Sequence, residues 1–485
     1  MFLKTPAGAV RSEIVPRVRS RVPRRAGLTW LALALLTVGS VGDLGSTPTM
    51  AVFGLASVAL YVIPAIVFLA PAALVSAELA SGWKGGVYNW VSEGISPAMG
   101  FAAIWCQFAQ TTFYYPAVLA YIASTLSYGF APSLAHSGIY TTAVIIFLFW
   151  ATVLVAARGL LAADRLATWG IVIGTLIPGL VLVVLAVVYL LQGNHSAAPL
   201  NGHHVLPPWN GITSIVLIVN GFFTYAGVEV NAVHVDDLRN PAREVPRAML
   251  LAVVLILFVF IPPTLAISTA VPSQDTSLTA GVMQAFRHLL DHFSVSFLEP
   301  VFALGLVVAS LSGLVDWLAG PSTGLVQIGR ERGYLPPYFQ RKNANGVQLR
   351  IIVAQGIVIT LIGLLYALVP TVSRAYWIFA ALATDVYLIM YVLMFVAARN
   401  LRRRQPDHQR GYRAPALVPI CAVGALASVA AAIVGLLPPS QLGHTSTPLY
   451  AAAMLAGVLL VGVAPPVLLY RLRKPAWQNP DELHS

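Results

Sequence analysis

Four acidic residues lie inside long apolar stretches of this sequence, where they could carry chemistry. They are Asp43, Glu229, Asp316 and Asp385. A charged side chain at the centre of a bilayer is costly, so an acid placed there indicates an ion, proton or substrate pathway. Apolar surroundings favour the protonated form of a carboxyl group, which suits it to carry a proton. We therefore interpret Glu229, Asp316 and Asp385 as candidates for gating or proton coupling.

Each acid also has a structural alternative. Glu229 could be a neutral or paired acid that caps the second half of its helix. Asp43 could be the N-cap of a short helix, a position that Asp fills well. Asp316 could lie nearer the cytoplasmic end of its span, and Asp385 could face either the core or a neighbouring helix. His234, five residues after Glu229, is interpreted as a boundary residue rather than a proton relay.

The composition of the chain is that of a polytopic membrane protein. Of its 485 residues, 58% are hydrophobic and only 10% are charged, and the mean hydropathy is +0.78. Soluble domains carry about 25% charged residues, and about 20 apolar residues suffice to cross a bilayer. We predict twelve membrane helices: Leu28–Thr47, Phe53–Ala80, Pro97–Tyr128, Tyr140–Ala157, Thr168–Leu191, Ile212–His234, Ala248–Ala270, Phe297–Leu318, Arg350–Val369, Ala375–Ala397, Ala416–Leu437 and Leu449–Leu469.

Charge is distributed unequally between the two sides that these helices define. With twelve spans, 27 of the 29 Lys and Arg residues fall on the side of both termini, and only Arg287 and Arg374 fall on the other. Positive charge marks the cytoplasmic side of membrane proteins. The N- and C-termini are therefore predicted to be cytoplasmic. The net charge of +11 is then explained by topology and lipid headgroups, so no nucleic-acid partner is expected.

Spans one and six interrupt their own helical pattern. The first contains Val41–Gly45 followed by Pro48, and the sixth contains Phe222–Ala226 followed by Gly227 and Glu229. Irregular backbone at membrane depth is tolerated where protein or a watery cavity satisfies its polar groups. Broken helices at matching positions in two halves indicate the substrate site of a secondary transporter. The alternative is that the glycines serve only close helix packing.

Several other classes of site are not indicated. Cys106 and Cys421 lie in apolar runs and are interpreted as small buried side chains. The sequence shows no nucleotide-binding motif, no metal-ligand spacing and no His-rich zinc helix. We therefore expect no cofactor, no metal site and no enzymatic activity.

Three segments together carry a resemblance to a known family. Thr224–Glu229, continued by Asn240–Pro246, resembles a sixth span and its following loop in the amino acid–polyamine–organocation superfamily of transporters. Ala77–Ala80, with the sequence Gly-Gly-Val-Tyr at 85–88, resembles the end of a second span, and the run 317–336 resembles the end of an eighth. The similarity extends over nearly the whole chain and is greatest to the bacterial glutamate/γ-aminobutyrate antiporter branch.

This resemblance implies an all-α fold of two inverted five-helix repeats with two further helices, working by alternating access. The implied regions are a basic N-terminal segment (1–27), the two repeats (28–192 and 211–397), a basic loop (398–415), helices 11 and 12 (416–471) and a tail (472–485). The implied gating residues are Phe223, as an aromatic gate, and Glu229. The implied substrate contacts are Val41, Gly42, Asp43, Leu44, Gly45, Phe222, Phe223, Thr224, Tyr225 and Ala226.

One position departs from the family pattern. Many relatives have a Gly/Ser-rich turn where this chain has Asp43. A fixed negative charge there would repel a substrate carboxylate and favour an amine, a polyamine or a cationic amino acid. Alternatively, Asp43 is protonated or points away from the substrate.

The sequence thus predicts a permease of the cell membrane that moves amino acids or related amines by exchange or proton coupling. Its expected partners are the substrate, a proton or counter-substrate, and the lipid bilayer. A polyamine or organocation transporter and a sodium-coupled symporter stay as alternatives within the class. A channel or receptor is the alternative outside it.

Overall fold

The computed structural model describes residues 29–158, 172–199, 204–207, 209, 211–440, 443 and 446–479. This part of the chain is built from helices and contains no β-sheet. In chain order the helices are α1 Trp30–Val41, α2 Thr47–Ala51, α3 Ser57–Pro64, α4 Ala70–Gly82, α5 Gly86–Gly94, α6 Pro97–Ala109, α7 Thr111–Ser127, α8 Gly138–Ala157, α9 Ile177–Leu191, α10 Val219–Tyr225, α11 Pro241–Ala270, α12 Gly281–His292, α13 Glu299–Arg332, α14 Pro337–Gln340, α15 Leu349–Leu364, α16 Val372–Arg404, α17 Leu417–Gly435, α18 Thr447–Gly457 and α19 Ala464–Leu472. Single π-helical segments at Ala65–Leu69, Val172–Leu176 and Val458–Val463 adjoin α3, α9 and α18.

The described residues contain nine helices long and apolar enough to cross a membrane, or ten if one bent pair counts as a span. The predicted all-α, multi-pass architecture is thereby confirmed. Two of the twelve predicted spans, the third and the sixth, are not among these ten. The third is divided at Gln110 into α6 and α7, and the sixth is interrupted. The count of twelve and the inverted repeat stay predictions.

The first span is broken at the predicted place. Helix α1 ends at Val41, and Asp43 adopts an extended conformation (φ −122°, ψ 128°). A 3₁₀ turn at Leu44–Ser46 then leads into α2, so that the two halves of the span meet at 46°. Gly42 and the following Asp lower the local helix propensity, which explains why the helix stops here.

The sixth span is broken as well. Helix α10 ends at Tyr225, and Ala226 is extended. Gly227 follows with φ +105°, a left-handed conformation that suits glycine. The chain continues as a 3₁₀ helix at Val230–Asp237 rather than as an α-helix. The breaks predicted in both spans are therefore present in the structure.

Helix α16 holds the centre of the fold together. It is 33 residues long, most of its apolar stretch is buried, and it packs against α7, α10 and α17. Helix α7 is also buried over most of its length. Cys106 and Cys421 are buried free thiols, as predicted. Both helices contact the broken spans: Tyr121 of α7 lies against Gly45, and α16 packs against α10.

The basic end of α16 and the loop that follows it are folded against the end of α4. The carboxylate of Glu78 accepts hydrogen bonds from Arg402 (Nε, 2.9 Å), Arg410 (Nη1, 2.8 Å) and the backbone N–H of Ala414 (2.7 Å). We call this group the Glu78 clasp. Beside it, burial raises the pKa of the Tyr412 hydroxyl to about 12. The clasp fixes the basic end of α16 to the end of α4.

Candidate functional site

The two interrupted spans lie side by side and are hydrogen-bonded to each other. Asn220 Nδ2 donates to the carbonyl oxygen of Ser46 at 2.9 Å, and Thr224 Oγ1 donates to Ser46 Oγ at 3.1 Å. Further along, Asn231 Nδ2 donates to the carbonyl oxygen of Leu36 at 3.0 Å. These contacts satisfy polar groups that each broken span could not satisfy alone, as backbone at membrane depth requires.

Asp43 caps the second half of the first span. Its Oδ1 accepts a hydrogen bond from the backbone N–H of Gly45 at 2.9 Å, which confirms the capping alternative. Ser310 of α13 also donates to this carboxylate, at 3.3 Å to Oδ1 and 3.4 Å to Oδ2. The side chain is only part-buried, so capping leaves part of it open to further contacts.

The carbonyl groups of the first break are partly satisfied by other helices. Thr175 Oγ1 donates to the carbonyl oxygen of Gly42 at 3.2 Å, and the Tyr376 hydroxyl donates to that of Gly45 at 3.3 Å. The ring of Tyr121 lies against Gly45, where an added Cβ would come within 2.9 Å of it. Glycine is therefore required at position 45 for α7 to approach the break.

Glu229 is almost fully buried, with 1% of its surface exposed, and its carboxylate accepts three side-chain hydrogen bonds. Gln107 Nε2 donates to Oε1 at 3.1 Å, and the hydroxyls of Tyr387 and Tyr391 donate to Oε1 and Oε2 respectively. Among the described residues, the Glu229 side chain makes no capping hydrogen bond to the 3₁₀ helix that follows it, so the capping part of the structural alternative is wrong for this acid. Its hydrogen-bonding environment comes from α6 and α16.

Gly227 connects the break of the sixth span to this cluster. Its backbone N–H donates to the hydroxyl of Tyr391 at 2.8 Å. An added Cβ would meet the indole ring of Trp317 at 2.8 Å. The tyrosine hydroxyl therefore joins the irregular backbone directly to the carboxylate of Glu229.

A row of aromatic rings extends from Phe223 to the Glu229 cluster. Ring centroids are 6.0 Å apart for Phe223 and Tyr114, 5.9 Å for Tyr114 and Trp317, and 6.1 Å for Trp317 and Tyr387. Phe223, Tyr114 and Trp317 are half-buried. Ring contacts therefore connect Phe223 to Tyr387, which is one of the hydrogen-bond donors to Glu229.

Other predicted contact residues serve packing through their side chains. Val41 and Leu44 are buried. Phe222 packs against Phe68 with centroids 5.1 Å apart, and the Tyr225 hydroxyl donates to the carbonyl oxygen of Tyr61 at 3.0 Å. Of the predicted set, Gly42, Asp43, Gly45, Thr224 and Ala226 lie at or beside the two breaks.

Asp385 lies apart from the Glu229 cluster, although both involve α16. Its oxygens have no hydrogen-bond partner among the described residues, and 3% of its surface is exposed. The side chain packs against Gly435 of α17, where an added Cβ would come within 2.7 Å of Oδ1. Asp385 therefore lies where α16 meets α17, away from the two breaks. Asp316 is in α13, but its side chain lies outside the described residues.

The cluster around the breaks includes residues that the sequence analysis did not select. They are Gln107, Ser310, Tyr376 and Tyr391, with Tyr114 and Tyr387 in the aromatic row. One signal was available, since Tyr387 and Tyr391 are spaced by four residues and therefore share a helix face. Gln107 and Ser310 could be recognised from the sequence only as polar residues within apolar runs, which is weaker grounds for predicting a site.

Comparison with known proteins agrees with this architecture. The family model described as amino acid permease matches residues 28–460. An uncharacterized transporter of Legionella pneumophila is 32% identical over 89% of this chain and 94% of its own length. A glutamate/gamma-aminobutyrate antiporter of Lactococcus lactis is 29% identical over 90% of this chain and 89% of its own length. A probable agmatine/putrescine antiporter of the same species is 24% identical over 73% of this chain and 75% of its own length.

Two broken spans among long apolar helices are typical of secondary transporters, and the family match assigns the chain to this class. The chain belongs to the amino acid permease family. The predicted resemblance to this family, and to glutamate/γ-aminobutyrate antiporters within it, is confirmed. The protein is accordingly a multi-pass transporter of the cell membrane for a small molecule.

Proposed function

We propose that this transporter exchanges amino acids or related amines across the cytoplasmic membrane. The main support for this proposal is that the two broken spans are hydrogen-bonded directly to each other, through Asn220, Thr224 and Ser46. Unwound segments offer free backbone groups to a substrate near mid-membrane. The names of two similar proteins, both antiporters, support exchange rather than one-way uptake.

Alternating access would use the two breaks as hinges. Spans one and six belong to the two proposed five-helix repeats, 28–192 and 211–397. A substrate held at Val41–Gly45 and Phe222–Ala226 would be exposed to one side and then to the other as these repeats move. Phe223 is proposed as the aromatic gate, because it is half-buried and in contact with Tyr114.

Glu229 is proposed as the group that couples a proton to this movement. An ionised carboxylate accepts all three of its hydrogen bonds, whereas a protonated one must donate a bond from one oxygen. Protonation at Oε2 would direct that bond to the Tyr391 oxygen, which already accepts the N–H of Gly227. The Tyr391 hydroxyl would then have to reorient. The proton would thus change the hydrogen bonding of the broken backbone itself.

The test is substrate exchange by purified protein in proteoliposomes. Vesicles are loaded with unlabelled substrate, and uptake of a labelled panel is followed: glutamate, γ-aminobutyrate, arginine, lysine, putrescine and neutral amino acids. Uptake is measured with and without internal substrate at pH 5.5 and 7.5, and with an imposed sodium gradient. Glu229→Gln is compared with Glu93→Gln, the same change at an exposed position of α5.

Saturable uptake that requires internal substrate would support exchange. Glu229→Gln is expected to remove most of the pH dependence, while Glu93→Gln keeps it. Uptake driven by sodium without internal substrate would favour a symporter instead. Current without accumulation would favour a channel, and no transport of any compound by folded protein would overturn the proposal.

A further inference from the structure

We propose that Asp43 and Ser310 form an ammonium subsite, and that the preferred substrate is an organic amine without a carboxylate. This inference rests on the proposed function and specifies the substrate class of the same site. It is supported by the charges and the unused hydrogen-bond acceptors around the first break.

The first observation is the incomplete hydrogen bonding of the Asp43 carboxylate. Oδ1 accepts from the N–H of Gly45 at 2.9 Å and from Ser310 Oγ at 3.3 Å. Among the described residues, Oδ2 has only the long contact of 3.4 Å to the same serine hydroxyl. A carboxylate offers about four acceptor positions. Oδ2 therefore keeps acceptor capacity for a ligand that donates.

The second observation is the absence of a counter-charge. No described residue places a Lys, Arg or His nitrogen within ion-pair distance of Asp43. The two interrupted segments, residues 30–51 and 211–238, contain no Lys or Arg at all. By contrast, Glu78 outside the site is paired with two arginines. A buried or half-buried acid needs a partner, and at Asp43 the substrate can supply it.

The third observation is the direction of the helix ends. Helix α1 ends at Val41, so its negative carbonyl end points towards the break that contains Asp43. This end attracts cations. The short segment after Asp43 offers a positive end, but Asp43 itself already accepts its N–H at Gly45. A substrate ammonium is thus favoured beside Asp43, and a substrate carboxylate is not.

The second break presents no Lys or Arg side chain to a carboxylate, since residues 211–238 contain neither. Glu229 is itself an acid, and its oxygens are occupied by Gln107, Tyr387 and Tyr391. The N–H of Gly227 is used by the Tyr391 hydroxyl. An amino acid would therefore bring an anionic group into a site whose charged side chains are acids. A decarboxylated counterpart that has no remaining carboxylate would bring no anionic group into the site. The site therefore favours mono- and diamines.

The experiment compares pairs of substrates that differ by one carboxylate. Proteoliposomes are preloaded with one member, and exchange is measured for lysine against cadaverine, arginine against agmatine, and glutamate against γ-aminobutyrate. We expect the decarboxylated member to have the higher kcat/KM in each pair. Loss of a hydrogen bond to a charged group weakens binding about tenfold or more. Asp43→Asn should therefore reduce the preference within each pair by about that factor.

Two further variants keep this test decisive. Asp43→Ser removes the charge but can still cap the 3₁₀ turn, so it separates folding from recognition. Ser310→Ala is expected to raise the KM for amines with a smaller effect on kcat. Asp275→Asn, the same change in an exposed loop, is the matched control and should leave the preference unchanged.

The outcomes distinguish the two proposals. Exchange of amino acids as fast as their amines, or an unchanged preference in Asp43→Asn and Asp43→Ser, would overturn the ammonium subsite and leave exchange itself standing. Absence of transport for all six compounds by folded protein would overturn both.

Discussion

The hydroxyl of Tyr391 donates to the carboxylate of Glu229 and accepts the backbone N–H of Gly227. One side chain of α16 therefore contacts both the acid and the break of the sixth span. The acid and the irregular backbone are thus joined through two hydrogen bonds of one hydroxyl group. This relationship can be tested by removing single groups.

Tyr391→Phe is expected to be more damaging than Tyr387→Phe. Both lose one donor to Glu229, but only the first also leaves the buried N–H of Gly227 without its partner. An unsatisfied buried group costs about 1–3 kcal/mol. Thermal unfolding in detergent and the exchange rate in proteoliposomes would both show the difference. Equal losses in the two variants would contradict a special role for the Tyr391 bridge.

Gly227→Ala is expected to destabilise the protein. The residue has φ +105°, and an added Cβ would meet Trp317 at 2.8 Å. A non-glycine residue in such a conformation costs about 1–3 kcal/mol before any clash. Gly313→Ala is the matched control, since no atom lies within 4 Å of its added Cβ and the residue is helical. If the two melting temperatures change alike, the backbone argument fails.

Glu78→Ala should be strongly destabilising, because Glu78 of α4 holds the end of α16 and the loop that follows it. It leaves Arg402 and Arg410 without their carboxylate partner beside a part-buried helix end. Breaking a buried ion pair costs about 3–5 kcal/mol. Glu93→Ala, at an exposed site in α5, should change stability by no more than about 0.5 kcal/mol. Limited proteolysis of the loop between α16 and α17, residues 405–416, would show whether the clasp has opened.

Ser46→Ala and Thr224→Val are expected to be coupled. Their hydroxyls form the hydrogen bond that joins the two broken spans at 3.1 Å. A double-mutant cycle on the free energy of unfolding should give an interaction of about 0.5–1.5 kcal/mol. Additive effects of the two changes would mean that this contact contributes nothing to holding the spans together.

Much of the architecture follows from the sequence alone. Long apolar stretches specify membrane helices because the bilayer excludes unpaired backbone groups. The glycines and polar residues at Val41–Gly45 and around Gly227 specify the breaks, since they weaken the helix locally. These are local properties, so they can be predicted without knowing what packs nearby. The family could be predicted in the same way, because the resemblance is carried by short segments of sequence.

The partners of the acids could not be predicted in this way. Glu229 and Tyr391 are 162 residues apart in the chain, Asp43 and Ser310 are 267 apart, and Glu78 and Arg402 are 324 apart. Which helix faces meet depends on the packing of the whole bundle, because every apolar span can in principle pack on any other. The sequence thus determined that acids and breaks lie within long apolar stretches. Only the tertiary structure decided that Glu229 is enclosed by donors, that Asp385 faces α17, and that Asp43 keeps acceptor capacity for a ligand.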